Sequence, residues 1–256
     1  MKGRGKTGGK ARAKWKMYRK PVNKRRSART FRRNAKRTKS ANLQKAPQRG
    51  GWRLGTPQST KQITPDDYAR AAAALGVPVA AVKAVTDVES NGHGFLSDGR
   101  PLILYERHIM RRQLIAAGRA ADADSHEASE PNIVNRAPGG YKGGAAEWDR
   151  LDAAVHIDRA CALESASWGL FQIMGFHWKS LGYESVQAFV NAMYASEGAQ
   201  LDAFVAFVKA NPNLLRALRA KDWPGFARGY NGPGYAANKY DTKLAAAYAR
   251  HIKDAA

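Results

Sequence analysis

A single cysteine, Cys161, stands among 256 residues, so no intrachain disulfide can form. Folding therefore makes no demand for an oxidising compartment. Within "HIDRACALES" this cysteine reads as a small buried apolar residue rather than a reactive thiol. No run approaches the ~20 apolar residues needed to span a bilayer. The basic start is followed by no apolar stretch of signal-peptide type, so synthesis in the cytoplasm without a signal peptide is expected. The six histidines form no HExxH or other zinc spacing, and no phosphate-binding glycine loop appears. Neither a metal nor a cofactor is expected. Acid is missing from one region entirely: residues 1–54 contain no Asp or Glu but hold 21 of the 43 Lys and Arg. The remainder carries the other 22 bases against all 21 acids, so a net charge of +22 divides into +21 and +1. The chain reads as two objects.

The first object, residues 1–54, is rich in Gly, Lys and Arg, with few scattered large apolar residues, among them Trp15, Met17, Tyr18, Phe31 and Trp52. It cannot bury enough apolar surface to offset the entropy of ordering, so it is expected to be disordered when alone. Dense like charge works against a short helix around Ser27–Thr38. Such an arm binds polyanions, since Lys and Arg displace counterions from phosphates and interleaved aromatics can stack on bases. Nucleic acid and the lipopolysaccharide of an outer membrane both offer dense phosphate, and the chemistry leaves both open. "YRKPVNKRRSARTFRRNAKRTKSAN" and the closing "RGGWRL" resemble the small basic DNA-binding protein of gokushovirus-type microviruses. The resemblance implies a segment that packs single-stranded DNA. It ends at Leu54, after which Gly55-Thr56 and "PQSTKQITPDD" lead into unrelated sequence. That junction implies an engineered fusion, with residues 55–62 as linker and 63–256 as a separate domain.

The second object begins with strong helix signals. "ITPDDYARAAAALG" offers Thr64 as N-cap, Pro65 at the first helical position, two aspartates in the first turn and Gly76 as the stop. "VPVAAVKAVTDVESNG" follows, with Val79, Val82, Val85 and Val88 spaced for a buried stripe and Glu89 at its edge. Asp98-Gly99 marks a turn, "PLILYE" a short strand, and "HIMRRQLIAAG" a helix. Residues 119–147 read as loop around "APGGYKGG". Helices return in "AAEWDRLDAAVHIDRACALES", "ESVQAFVNAMYASEGAQLDAFVAFVKAN", "NLLRALRAKDWPGFARGYNG" and "NKYDTKLAAAYARHIK". The class is mainly α with one small β element inserted early.

Two carboxylates carry the chemistry. Glu89 ends a buried helix, where desolvation raises a carboxyl's pKa and suits it to act as a general acid. Glu106 ends the strand-like run and could face Glu89 across a cleft. Paired carboxylates flanking a sugar linkage are the usual arrangement of glycosidases. "ASWGLFQIMGFHW" adds Ser167, Gly169 and Gln172 among aromatics, with Gln172 read as a polar residue in an apolar helix. "ARGYNGPGY" sets Tyr230 and Asn231 in a Gly/Pro turn where side chains can reach a ligand.

"VESNGHGF", "GRPLILYERH", "ASWGLFQIMGFHW", "FARGYNGPGY" and "NKYDTKLAAAY", in this order across residues 63–254, resemble the lysozyme-like N-acetylmuramidase family of phage endolysins. The pattern is similar also to goose-type lysozymes and soluble lytic transglycosylases. The resemblance implies a lysozyme-like helical domain that acts as a monomer on bacterial peptidoglycan. It implies Glu89 as catalytic acid and Glu106 as the group that positions water. Ser167, Gln172, Tyr230 and Asn231 are implied as substrate-binding residues. Two alternatives stay open: a lytic transglycosylase, and a DNA-binding protein whose second domain is only a carrier.

Overall fold

In a computed structural model of the chain, residues 61–90 and 92–254 are described. The expectations for the basic arm and for a helix around Ser27–Thr38 lie outside the described residues.

The first helix, α1 (Pro65–Leu75), starts as its sequence dictates. Thr64 accepts from the Asp67 N–H and Asp67 accepts from the Thr64 N–H, a reciprocal capping box, and Gly76 closes the helix at φ +66°. Its partner α2 (Val79–Glu89) buries Ala81, Val82, Ala84 and Val85. The expected valine stripe is narrower than its spacing suggests, since Val79 is 38 % exposed. The buried face runs instead along Ala81, Val85 and Glu89, four residues apart, so the glutamate sits within that face rather than at its edge.

A three-stranded antiparallel sheet follows, β1 (Ile103–Tyr105), β2 (Ala166–Trp168) and β3 (Ile173–Met174), in the order β1-β2-β3. Ile103 pairs with Trp168, Leu104 with Ser167 and Tyr105 with Ala166. The β element is therefore not confined to the early segment: "ASWGLFQIM" forms a hairpin that completes it. All three β2 residues are buried, so the strand shows no in-out alternation in its sequence.

Helices enclose the sheet. They are α3 (Arg107–Ala116), α4 (Ala120–Ser129), α5 (Ala146–Ile157), α6 (Arg159–Glu164), α7 (Val186–Ala195), α8 (Glu197–Lys209), α9 (Pro212–Ala220), α10 (Trp223–Asn231) and α11 (Tyr240–Lys253). Three sequence runs that read as single helices each break at a cap. Asp158 accepts from the Cys161 N–H at 2.9 Å, Ser196 from the Ala199 N–H at 3.1 Å, and Asp222 from the Gly225 N–H at 2.9 Å. Each side chain satisfies a backbone donor at the start of a new helix, which lets the chain turn without leaving polar groups unpaired. The segment expected to be loop contains α4, which buries only Ala123.

The core is aromatic and lies among α8, α10 and the β2–β3 turn. Phe171 stacks on Phe204 with centroids 4.6 Å apart, and Tyr230 stacks on Phe226 at 5.8 Å. The long contact of α11 along α2 anchors the C-terminal helix to the element that carries Glu89.

Candidate active site

Glu89 is wholly buried at the last turn of α2. Its Oε1 accepts from Asn231 Nδ2 at 2.7 Å. Asn231, 8 % exposed, is the final residue of α10. Two helix ends thus meet at this carboxyl, the "YN" segment contributing its asparagine.

Tyr230, one residue earlier, points elsewhere. It is 5 % exposed, its ring packs against Phe204, Phe207 and Phe226, and its hydroxyl donates to the Phe171 carbonyl at 2.9 Å. Tyr230 thus has a core role, as one side of the aromatic packing around α10. Its hydroxyl bond to Phe171 ties α10 to the β2–β3 turn.

Gln172 lies in the β2–β3 turn, not in a helix, at φ +51°. A left-handed backbone is costly for a residue with a Cβ. Three side-chain bonds hold it there: Ser167 Oγ donates to its Oε1 at 2.8 Å, and its Nε2 donates to the carbonyls of Gly169 at 2.8 Å and Leu102 at 3.3 Å. Ser167 is buried and serves this turn. Beneath it lies Gln200, whose Oε1 accepts from the Leu170 N–H at 2.7 Å and whose Nε2 donates to the Met193 carbonyl at 2.8 Å. The same amide packs so close to Gly94 and Gly169 that a Cβ at either would fall 2.1 Å and 2.5 Å from its atoms. Those glycines are required by close approach.

The loop after Glu89 is fixed from α8. Glu197 Oε1 accepts from the Gly94 N–H at 2.7 Å, and the Gly94 carbonyl accepts from the Leu102 N–H at 2.8 Å. A cleft of about 510 Å3 opens beside this loop, lined by Thr86 and Ser90 from the α2 end, by Gly92, His93 and Leu170, and by Glu197.

Glu106 occupies the junction between β1 and α3, at the N-cap position, and is 9 % exposed. Its N–H donates to the Ser165 carbonyl at 2.9 Å, locking the junction to the residue before β2. Its Oε2 accepts from the Tyr141 hydroxyl at 2.7 Å. His108 Nδ1 lies 3.2 Å from the same oxygen, in reach of Coulomb attraction when the ring is protonated but outside hydrogen-bond alignment. Burial and the neighbouring Glu106 carboxylate push the Tyr141 hydroxyl well above the ordinary tyrosine range, so it remains a donor.

The loop of Tyr141 is held by a buried ion pair on α5. Glu147 and Arg150 on α5 are 0 % and 2 % exposed and pair at 2.7 Å. Glu147 Oε1 accepts from the N–H groups of Lys142 and Gly143 at 2.6 and 2.9 Å, and its Oε2 accepts from the Tyr105 N–H at 3.2 Å. Arg150 donates to the carbonyls of Tyr105 at 2.9 Å, Asn132 at 2.9 Å and Gly139 at 3.3 Å. Its guanidinium lies 5.0 Å from the Tyr105 ring centre and 6.0 Å from that of Tyr141. Arg107 adds bonds to the carbonyls of Pro131, Ala137 and Pro138. The "APGGYKGG" loop is thereby fastened on both sides. Its Gly/Pro content signals a loop, but nothing in that content signals buried charge.

Cys161 is buried, and burial with the nearby Asp158 carboxylate pushes its thiol up to about 12. It takes no part in this chemistry, as its sequence context implied.

The arrangement, a buried carboxyl on a helix end and a second carboxylate at a strand–helix junction, is one that glycoside hydrolysis can use. A search of curated proteins gives no match. The family model for N-acetylmuramidase matches residues 78–252, which include all six candidate residues. Among solved structures, the chain is similar to the crystal structure of a Burkholderia AP3 phage endolysin, at 55% identity and a TM-score of 0.73, over 78% of this chain and 75% of that one. A match of this extent through both carboxylates establishes that the chain belongs to the N-acetylmuramidase family and is a muramidase hydrolase.

Proposed function

We propose that the chain is an endolysin that cleaves the β-1,4 bond from N-acetylmuramic acid to N-acetylglucosamine in peptidoglycan. The observation that carries this reading is Glu89, wholly buried and hydrogen-bonded to Asn231 within the matched domain. A carboxyl withheld from water favours its neutral form, which is the form that protonates a departing glycosidic oxygen. Glu106 takes the proton of the attacking water as oxocarbenium character develops. A transglycosylase needs no such group, because a hydroxyl of the sugar itself attacks. The Tyr141 bond that orders Glu106 therefore favours hydrolysis. Ser167 and Gln172 serve by shaping the turn beside the sugar subsites.

Residues 1–54 work in this reading as a cationic arm that engages lipopolysaccharide and carries the hydrolase toward a wall behind an outer membrane. Their excess of 21 positive charges supports it. Binding to nucleic acid by the same arm is the competing use. Without residues 1–54 the protein should keep its activity on bare wall and lose killing of intact Gram-negative cells, and magnesium should weaken killing by the full chain.

The test of the catalytic reading is Glu89→Gln on purified peptidoglycan, with fragments analysed by mass. Turnover should fall by about 10²–10⁴-fold, and wild-type products should carry reducing ends. Undiminished turnover by the variant refutes the assignment of Glu89, and 1,6-anhydro ends refute hydrolysis.

A further inference from the structure

We infer that Tyr141 is a positioning residue for the second carboxylate, its hydroxyl fixing Oε2 of Glu106 so that the other oxygen is presented to water. The inference rests on the reading of Glu106 as the water-activating group. Two contacts at Glu106 carry its first part. The Tyr141 hydroxyl donates to Glu106 Oε2 at 2.7 Å, within the range of a charge-assisted bond. His108 Nδ1 approaches that same oxygen, at 3.2 Å. Both contacts fall on one oxygen, so the carboxylate has two unequal faces, and its rotation about χ3 is opposed from one side.

The second part of the argument is the mounting of Tyr141. Its loop is held by a buried ion pair: the two neighbouring N–H groups, of Lys142 and Gly143, both donate to Glu147 Oε1, while Arg150 binds the Gly139 carbonyl. The tyrosine is thus bracketed on both sides by bonds to α5 within three residues of itself. A tyrosine needed only to fill space would not call for such fixation of its backbone. A hydroxyl required to meet one carboxylate oxygen does, because misplacement by 1 Å breaks a hydrogen bond.

The proton bookkeeping is simple. Tyr141 keeps its proton throughout, since its hydroxyl is held well above the ordinary tyrosine range. The Glu106 carboxylate takes a proton from water on its other oxygen as the water oxygen bonds to the anomeric carbon, and returns it to solvent. Glu89 gives its proton to the leaving oxygen as the glycosidic bond breaks. Tyr141 touches no reacting atom and acts only through Glu106.

The experiment measures kcat and KM on soluble glycan strands for the full chain, Tyr141→Phe, Tyr141→Ala and Glu106→Gln, with melting temperatures alongside. Tyr141→Phe keeps the ring beside Arg150 and removes only the donor. It should lower kcat about tenfold or more, leave KM within about twofold, and lower the melting temperature by less than Tyr141→Ala does. Tyr141→Phe at wild-type kcat with Tyr141→Ala impaired would overturn the inference, making the ring alone what matters. A rise in KM at constant kcat would overturn it too, assigning Tyr141 to substrate binding. If Glu106→Gln turns over as the wild type does, the underlying functional reading fails. If Glu106→Gln is impaired and Tyr141→Phe is not, only the role of Tyr141 fails.

Discussion

Replacing Glu147 by Gln is the most revealing single perturbation of the domain, because it changes charge while leaving volume nearly constant. The glutamate has two oxygens, and each receives two donors: Lys142 and Gly143 N–H on one, Tyr105 N–H and Arg150 on the other. A glutamine offers one oxygen and one NH2. Whichever way the amide is turned, its NH2 confronts two donors and those two bonds are lost. The Arg150 guanidinium, 2 % exposed, also loses its counter-charge. It retains backbone carbonyls, but a buried cation with its partner removed costs about 3–5 kcal/mol. Two lost hydrogen bonds to a charged group, at about 1.5–3 kcal/mol each, give the same range.

At roughly 2–4 °C per kcal/mol for a domain of this size, the melting temperature of Glu147→Gln should fall by about 6–20 °C. Urea titration should show a lower midpoint with an unchanged slope, since the surface exposed on unfolding is the same. Turnover at a temperature where the variant remains folded should also fall, because the loop it frees carries Tyr141. The double variant Glu147→Gln with Arg150→Met should lose less stability than its two single variants together, since the second change removes the stranded charge. A Glu147→Gln protein within about 1 kcal/mol of wild type would refute the reasoning and mean that water reaches this pair.

Two further outcomes follow from local geometry. His177 packs against Phe176 and Phe207, and burial pushes its ring down from 6.5 to about 4; the unfolded chain therefore binds the extra proton first, and stability should drop as pH falls from 6.5 to 4, by roughly 3 kcal/mol at the lower end. Urea midpoints against pH should show this slope in the wild type and lose it in His177→Gln; an equal slope in both would refute the assignment. Gln172→Ala removes the three bonds that hold a backbone at φ +51°, whereas Gln172→Gly removes the same bonds and relieves the conformation. The glycine variant should be the more stable of the two by about 1 kcal/mol, and the reverse order in denaturant titration would contradict a strained turn.

The parts of this fold legible in the sequence were those with local signals. Thr64, Pro65 and Gly76 announced α1, and Glu89 and Asn231 were singled out from the ends of two helical runs, where the structure indeed joins them. The helix breaks at Asp158, Ser196 and Asp222 were written in good capping residues, but apolar spacing continued across each and masked the stop. The opposite error concealed α4, which buries a single alanine and so has no apolar stripe to reveal it. The β2–β3 hairpin was hidden because β2 is buried throughout, and a turn with Gln172 in the left-handed region has no common sequence signature. Tyr230 and Asn231 stand side by side in sequence, and only packing shows that the Asn231 amide donates to Glu89 while the Tyr230 hydroxyl donates to Phe171.

Glu147 and Arg150 illustrate the deepest limit. At a spacing of three on a helix, such a pair reads as a surface ion pair contributing a few tenths of a kcal/mol. Here the same pair is buried and spends its hydrogen-bonding capacity on the backbone of a glycine-rich loop that has little side-chain mass to pack. Buried ion pairs are rarely more stabilising than an apolar pair of equal volume. What the pair supplies is a unique position for a loop that apolar contacts alone would leave free to shift. In the proposed reading that position serves Glu106, which sits at a strand–helix junction and receives the Tyr141 hydroxyl from outside its own element. The two glutamates are therefore held by different means, one by burial against Asn231 and the other by a hydroxyl mounted on buried charge.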